Sequence, residues 1–283
     1  MRPSWPDASP AASRTRAAAD DDALRTTGVD TVSASGLTIV IPTKDHAGML
    51  QYCLEHLQRA LKVASQFEPR VVVVDNATEI PLLEEDLLSS SSPVHLIRFD
   101  ITASLAEANN TAIRRYPNAY YLLLNNDVLL AESALADMQR LLEETPNAGL
   151  CGTRLISPDG TIQHAGVVFG PGAIGPYHVS RGQPSALVSR LSGEFQAVTG
   201  ACLLIRQSTW DDLGGLSGEF AFGLEDIDFC LRARQKGWRV CCSCRTDSLH
   251  CESMTRGRDK PDTRAHRVFM NTWRGRYAID GQG

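Results

Sequence analysis

Long apolar runs are missing from this chain: stretches such as Leu37 to Ile41 and Tyr120 to Leu124 fall far short of the ~20 residues needed to cross a bilayer. Met1 to Gly36 has no apolar core of a secretory signal, so the expected location is the cytoplasm. Positive charge is also scarce, with 28 Lys+Arg against 33 Asp+Glu and a formal net charge of -5. That balance supplies no field to attract a phosphate backbone and excludes nucleic acid as the expected main partner. The sequence shows no internal repeat, and no basic amphipathic helix stands out that would draw the chain to a membrane. Cysteine is not scarce, at 8 in 283 residues, but a chain of this length needs no disulfide staples. Cys241, Cys242 and Cys244 lack the paired spacing of a zinc site, so reduced thiols are expected. What is present, 43% hydrophobic and 22% charged residues, is enough to bury a sizeable core.

Residues 1–36 are rich in Ala, Ser, Thr, Asp and Arg and cannot offset their ordering entropy, which predicts a disordered N-terminal tail. Leu37 to Ile41 reads as a buried strand ended by Pro42. Met49, Leu50, Cys53, Leu54, Leu57 and Leu61 then mark one face of a helix. Strands are expected at Val71 to Val74, Val94 to Phe99 and Ala119 to Leu124, with helices over about 104–115 and 134–144. Alternating strands and helices of this kind imply a Rossmann-like, mainly parallel α/β sheet with helices on both faces. From Cys151 to Arg190 the chain is rich in Gly and Pro and is expected to be irregular, within an α+β second half. A strand is expected at Trp238 to Cys244.

In open parallel sheets ligands sit beyond the carboxyl ends of the strands. Three polar tips fall there: Pro42, Thr43 and Asp45; Asp75 and Asn76; Asn125, Asn126 and Asp127. Each alone is ordinary turn chemistry, but three on one edge point to a polar ligand. Asp127 offers the hard oxygen that suits Mg²⁺ or Mn²⁺. Glu225, Asp226 and Asp228 open a helix predicted to carry Leu224, Ile227 and Leu231 on one side. The helix dipole accounts for one or two of these acids. Asp226 and Asp228 cannot face the same way, which leaves Asp226 or Glu225 to face the cleft as a general base. His250 stands at a strand end where it would complete a metal site with Asp127, and Arg256 or Arg258 would neutralise a phosphate. Gly170 to Gly175 matches GxGxxG, but Pro176 and Pro184 follow where that motif requires a helix.

Six blocks in order carry a resemblance. They are Thr38 to Thr43, Val73 to Asn76, Leu123 to Asp127, Ala197 to Arg206, Gly223 to Arg232, and His250 to Ser253 with Arg256-Gly257. In these the chain resembles the family 2 inverting glycosyltransferases of GT-A fold, notably bacterial enzymes of surface-polysaccharide assembly such as rhamnosyltransferases. The resemblance implies a single GT-A domain over 37–283, with a nucleotide-binding half at about 37–130 and an acceptor-side half at about 131–283. It also implies that Thr43, Asp45 and Asp75 contact the nucleotide, and that Asn125 and Asp127 stand at the two ends of the family's DxD. Asp127 and His250 would hold the metal, Asp226 would act as base, and Thr199, Gly200 and Ala201 would line the donor and acceptor pocket. The implied partners are a nucleotide-diphosphate sugar and a glycan or lipid-linked acceptor, the latter placing the chain at the inner face of the membrane. Ser104 departs from the glycine common in relatives. A nucleotidyltransferase would need a Gly-rich basic loop in place of Pro42 to His46, whereas Asn125 keeps open a non-catalytic nucleotide-sugar-binding or scaffold protein of the same fold.

Overall fold

The computed structural model describes residues 33–87, 94–171, 175–220, 223–251 and 263–281. Strand β1 (Gly36–Thr43) leads into helix α1 (Ala47–Val63), β2 (Glu68–Asn76) and β3 (Val94–Phe99). Helix α2 (Leu105–Arg115), β4 (Tyr120–Leu124), β5 (Val128–Leu129) and α3 (Ala134–Glu144) follow. The second half holds β6 (Ala148–Ile156), β7 (Ile162–His164), β8 (Val167–Gly170), β9 (Gly175–His178), β10 (Gly193–Phe195) and β11 (Cys202–Arg206). It closes with α4 (Gln207–Leu213), α5 (Glu225–Gln235), β12 (Arg239–His250) and α6 (Thr263–Trp273).

The main sheet has the order β10-β12-β6-β11-β4-β1-β2-β3. Strands β3, β2, β1 and β4 are mutually parallel. Antiparallel β11 between β4 and β6 returns β6, and with it β12, to the same direction. Because a strand alternates faces at each residue, a sheet covered on both sides needs apolar residues at every position. Ile39, Ile41, Val71, Val73, Leu122 and Leu124 pack on one face with Leu54 and Leu57 of α1 and Met138 of α3. Val40, Val72, Val74, Tyr121 and Leu123 pack on the other with Ile113 of α2, Phe229 of α5 and Phe269 of α6. Cys53, Cys202, Cys230 and Cys242 are fully buried in these layers and act as small apolar side chains.

Several expectations need correction. Gly36 already belongs to β1, and the Ser35 carbonyl accepts a hydrogen bond from the Glu68 amide at 2.9 Å, so residues 33–36 are folded; residues 1–32 of the expected tail lie outside the described residues. Pro42 does not end β1: pairing with β4 stops at Val40, so the missing proline N–H is not needed on that side while β2 pairing continues to Thr43. The region expected to be irregular contains most of nine-residue β6 and all of β7 to β9, which at three or four residues are too short for periodicity to show. Strand β12 runs on to His250 through a register shift between Ser243 and Ser248. Leu224 precedes α5 in the left-handed region at φ 69° rather than sitting on its face. Gly170 and Gly175 pair as the ends of the β8–β9 hairpin, so a strand follows the GxGxxG match.

Helix α6 is amphipathic and basic, a feature the sequence reading missed. Ala265, Phe269, Met270 and Trp273 are buried, while Arg264, Arg267, Asn271 and Arg274 are exposed. Among the described residues no helix is long and apolar enough to cross a membrane.

Candidate active site

The carboxyl ends of β1, β2 and β3 are knitted together by their own polar tips. The Asp45 carboxylate accepts from the Glu79 amide at 3.0 Å, and its own amide donates to the Thr78 hydroxyl at 3.4 Å. Lys44 Nζ reaches the Thr102 hydroxyl at 2.7 Å. Asn76 clamps the turn before α2, donating to the Ala103 carbonyl at 2.9 Å and accepting from its amide at 2.8 Å. Ser104 then caps α2 by accepting from the Glu107 amide at 3.1 Å, a stabilising use of the hydroxyl that glycine lacks. Asp45 and His46 after β1, and Ala77 after β2, all adopt positive φ. Strain of this kind costs about 1 kcal/mol or more per residue and persists only where the surroundings hold it.

Asp75 is fully buried. Its carboxylate accepts from the Thr78 and Leu82 amides at 2.9 and 3.2 Å and is paired with Arg98. Burial by itself would raise this carboxyl, but the Thr78, Leu82 and Arg98 donors together hold it below the ordinary aspartate value. Asp75 and Asn76 therefore shape the loop with every side-chain polar atom engaged, and Pro42 is buried in β1 opposite Val74. Thr43 is likewise committed: its hydroxyl accepts from Asn126 Nδ2 at 2.7 Å.

The second part of the site forms where β4 ends. The Asn125 amide donates to the Ala201 carbonyl at 2.8 Å, joining this loop to the turn before β11. Asn125 remains part-exposed while Asn126 turns inward, so the two amides do different work. Short β5 pairs with the end of β12, Val128 opposite His250, and the Cys251 amide donates to the Asp127 carbonyl at 3.0 Å. This register sets His250 Nε2 3.1 Å from Asp127 Oδ1, with both side chains nearly buried. His250 Nδ1 faces Gln163 Oε1 on β7, so in the neutral ring Nδ1 carries the proton and Nε2 keeps its lone pair. Asp127 Oδ1 is buried and accepts no hydrogen bond. With Nε2 unprotonated, two acceptor atoms face each other in a nearly buried pocket, which fits a cation, and a carboxylate with an imidazole suits Mn²⁺ or Mg²⁺.

The third part is the first turn of α5. Asp228 is buried, bonded to Arg232 at 2.7 Å and to Trp273 Nε1 at 2.9 Å, and is thus structural. Glu225 is buried too. Asp226 alone of the three is part-exposed, held by the Gly200 amide at 2.7 Å on Oδ2 and by the Ile227 amide at 2.8 Å on Oδ1. Thr199 Oγ1 accepts from the Ala201 amide at 3.3 Å, which rounds off the turn that carries Gly200. A chain of contacts thus runs from Asp226 through Gly200 and Ala201 to the Asn125–Asp127 loop. Arg256 lies outside the described residues. Gln163 was missed because nothing in its local pattern shows that β7 would aim it at His250.

Comparison with known proteins identifies the family and the fold. The model of glycosyl transferase family 2 matches residues 38–213, more than half of the chain, including the first three strand tips and the Thr199–Ala201 turn but not Asp226 or His250. An uncharacterized protein, y4gI, of Sinorhizobium fredii is 34% identical over 81% of this chain and 26% of its own length. The O-antigen biosynthesis protein RfbC of Myxococcus xanthus is 28% identical over 79% of this chain and 18% of its own. An N-acetylglucosaminyl-diphospho-decaprenol L-rhamnosyltransferase of Mycobacterium tuberculosis is 24% identical over 56% of this chain and 55% of its own. The chain thus spans about a quarter or less of the first two. A mannosyltransferase from Pyrobaculum calidifontis, solved with GDP-Man and Mn²⁺, superimposes with a TM-score of 0.56 at 15% identity, over 78% of this chain and 58% of that one. The fold is GT-A, and the chain belongs to glycosyl transferase family 2.

Proposed function

We propose that the chain transfers a hexosyl or deoxyhexosyl group from a nucleotide-diphosphate sugar to a hydroxyl of a glycan or lipid-linked acceptor, with inversion. One domain of residues 37–283 would do this, its nucleotide-binding and acceptor-side halves sharing a single site. The observation that carries the reading is the linked pair of features on one edge: Asp127 facing His250, and the part-exposed Asp226, joined through Gly200 and Ala201. Asp226 accepts the proton of the acceptor hydroxyl; the acceptor oxygen bonds to the anomeric carbon as the bond to the diphosphate breaks, and the electron pair leaves on the diphosphate. One accessible carboxylate serves a single displacement, which inverts the centre.

Asp127 and His250 would hold Mg²⁺ or Mn²⁺, which when bound supplies positive charge for the departing diphosphate. Among the described residues no group of three or more His, Cys, Asp or Glu is arranged for a metal, so Asp127 and His250 would hold the ion together with the phosphates of the donor. Gln163 fixes the ring of His250. The loops bearing Thr43, Asp45, Asp75, Asn76 and Asn125 form the nucleotide side, and Arg256 would assist the phosphates. The decaprenol-linked acceptor named for one relative supports a lipid-linked class here, with the chain working at the inner face of a membrane.

Release of nucleoside diphosphate from a panel of donor sugars tests the reading. Asp226→Asn is expected to lower turnover about 10²–10⁴-fold with the nucleotide still bound; undiminished turnover removes Asp226 from the role of base. EDTA is expected to abolish turnover and Mn²⁺ or Mg²⁺ to restore it, whereas metal-independent activity removes the Asp127–His250 assignment. Calorimetric binding of the donor with no turnover on any acceptor would favour the binding or scaffold role that Asn125 leaves open.

A further inference from the structure

Between Thr263 and Ile279 the sequence has Arg264, Arg267, Arg274 and Arg276 and no carboxylate, in a chain whose net charge is -5. Arg264, Arg267, Asn271 and Arg274 recur at spacings of three and four, which aligns them in one stripe along α6, and all four are exposed. Among the described residues no ion pair takes Arg267, Arg274 or Arg276, so these three charges have no described counter-ion. The stripe is firmly mounted. Trp273 Nε1 donates to Asp228 on α5, Tyr277 stacks on Phe169 at 4.5 Å, and Gln196 holds both the amide and the carbonyl of Ala278. A positive face that is rigidly mounted and opposite in sign to the molecule as a whole calls for an anionic surface outside it.

We propose that the arginine face of α6 docks the chain on an anionic lipid bilayer. The occupant is a membrane rather than single-stranded RNA because Phe269 and Trp273 of this helix are buried, leaving His266 as its one exposed aromatic ring and no row of rings for successive bases; aliphatic Ile279 is exposed nearby. The choice also rests on the proposed lipid-linked acceptor. Trp273 ties α6 to the first turn of α5, two residues from Asp226, so docking there brings the acceptor-side half to the bilayer. The buried apolar face is already spent on the core, so attachment is electrostatic and does not involve insertion of the helix.

Sedimentation of the full chain with phosphatidylcholine vesicles, with and without phosphatidylglycerol, at low and high salt, tests the proposal. Binding is expected only to the anionic vesicles and is expected to weaken at high salt. Replacing Arg267, Arg274 and Arg276 together with Gln should weaken it about a hundredfold, at about fivefold per arginine. Equal binding to neutral vesicles, or an unchanged triple variant, overturns the proposal, as does tighter binding to single-stranded RNA than to the vesicles. A thermal shift of the same variant with nucleoside diphosphate and Mn²⁺ separates the two readings. A retained shift with vesicle binding lost supports the docking face. No shift in the wild type, with vesicle binding intact, rejects the transferase reading and leaves the docking face standing.

Discussion

Gln163 shows how much a single side chain contributes at a distance from the chemistry. Its amide oxygen decides which nitrogen of His250 keeps a lone pair, and orienting partners of this kind are worth 10–100-fold in metal affinity. Gln163→Met is expected to weaken Mn²⁺ binding by roughly that factor in a titration without donor sugar, and Gln163→Glu to retain it. Equal affinity in all three proteins would show that His250 is oriented by something else. At this scale the sequence was partly legible. Asp127, His250 and Asp226 could be singled out because each ends a strand or starts a helix. The inward turn of Asn126 to Thr43, and the closure of Asp75 by Arg98, depend on partners far along the chain that no local pattern specifies.

Elements were easier to read than their ends. The β1–β4 and α1–α3 units carry continuous apolar runs or one buried helical face, so burial dictates both their type and their place. Strands β7 to β9 are three or four residues long, too short for a period to register. Between elements, the Gly200 turn sits against α5 so closely that an added Cβ would lie 3.0 Å from Asp226 Cβ. Gly200→Ala must push the turn away and lengthen the amide bond to Asp226. The loss of a hydrogen bond to a carboxylate, about 1.5–3 kcal/mol, is expected to lower the melting temperature by several degrees and turnover per folded molecule about tenfold or more. A large fall in melting temperature with normal turnover per folded molecule would contradict this.

For the molecule as a whole, buried His164 links stability to acidity. Burial, reinforced by His178, His250 and Arg181, holds it well below its ordinary value of 6.5. The unfolded chain therefore binds a proton that the folded chain refuses, and stability falls as pH drops through 6.5. Urea unfolding should show a loss of about 1 kcal/mol between neutral pH and one unit below 6.5, with His164→Gln showing that much less dependence. Identical profiles for the two proteins would remove His164 as the source.

The pairing of β5 with β12 has one more consequence, for the order in which the protein is made. Asp127 emerges with the early parallel strands, but its partner His250 arrives only with β12, and among the described residues β5 pairs with no other strand. A chain synthesised only as far as β11 holds Asp127 but not His250, half of the proposed cation pair. The cation proposed for Asp127 and His250 is therefore expected to bind only once β12 has paired with β5.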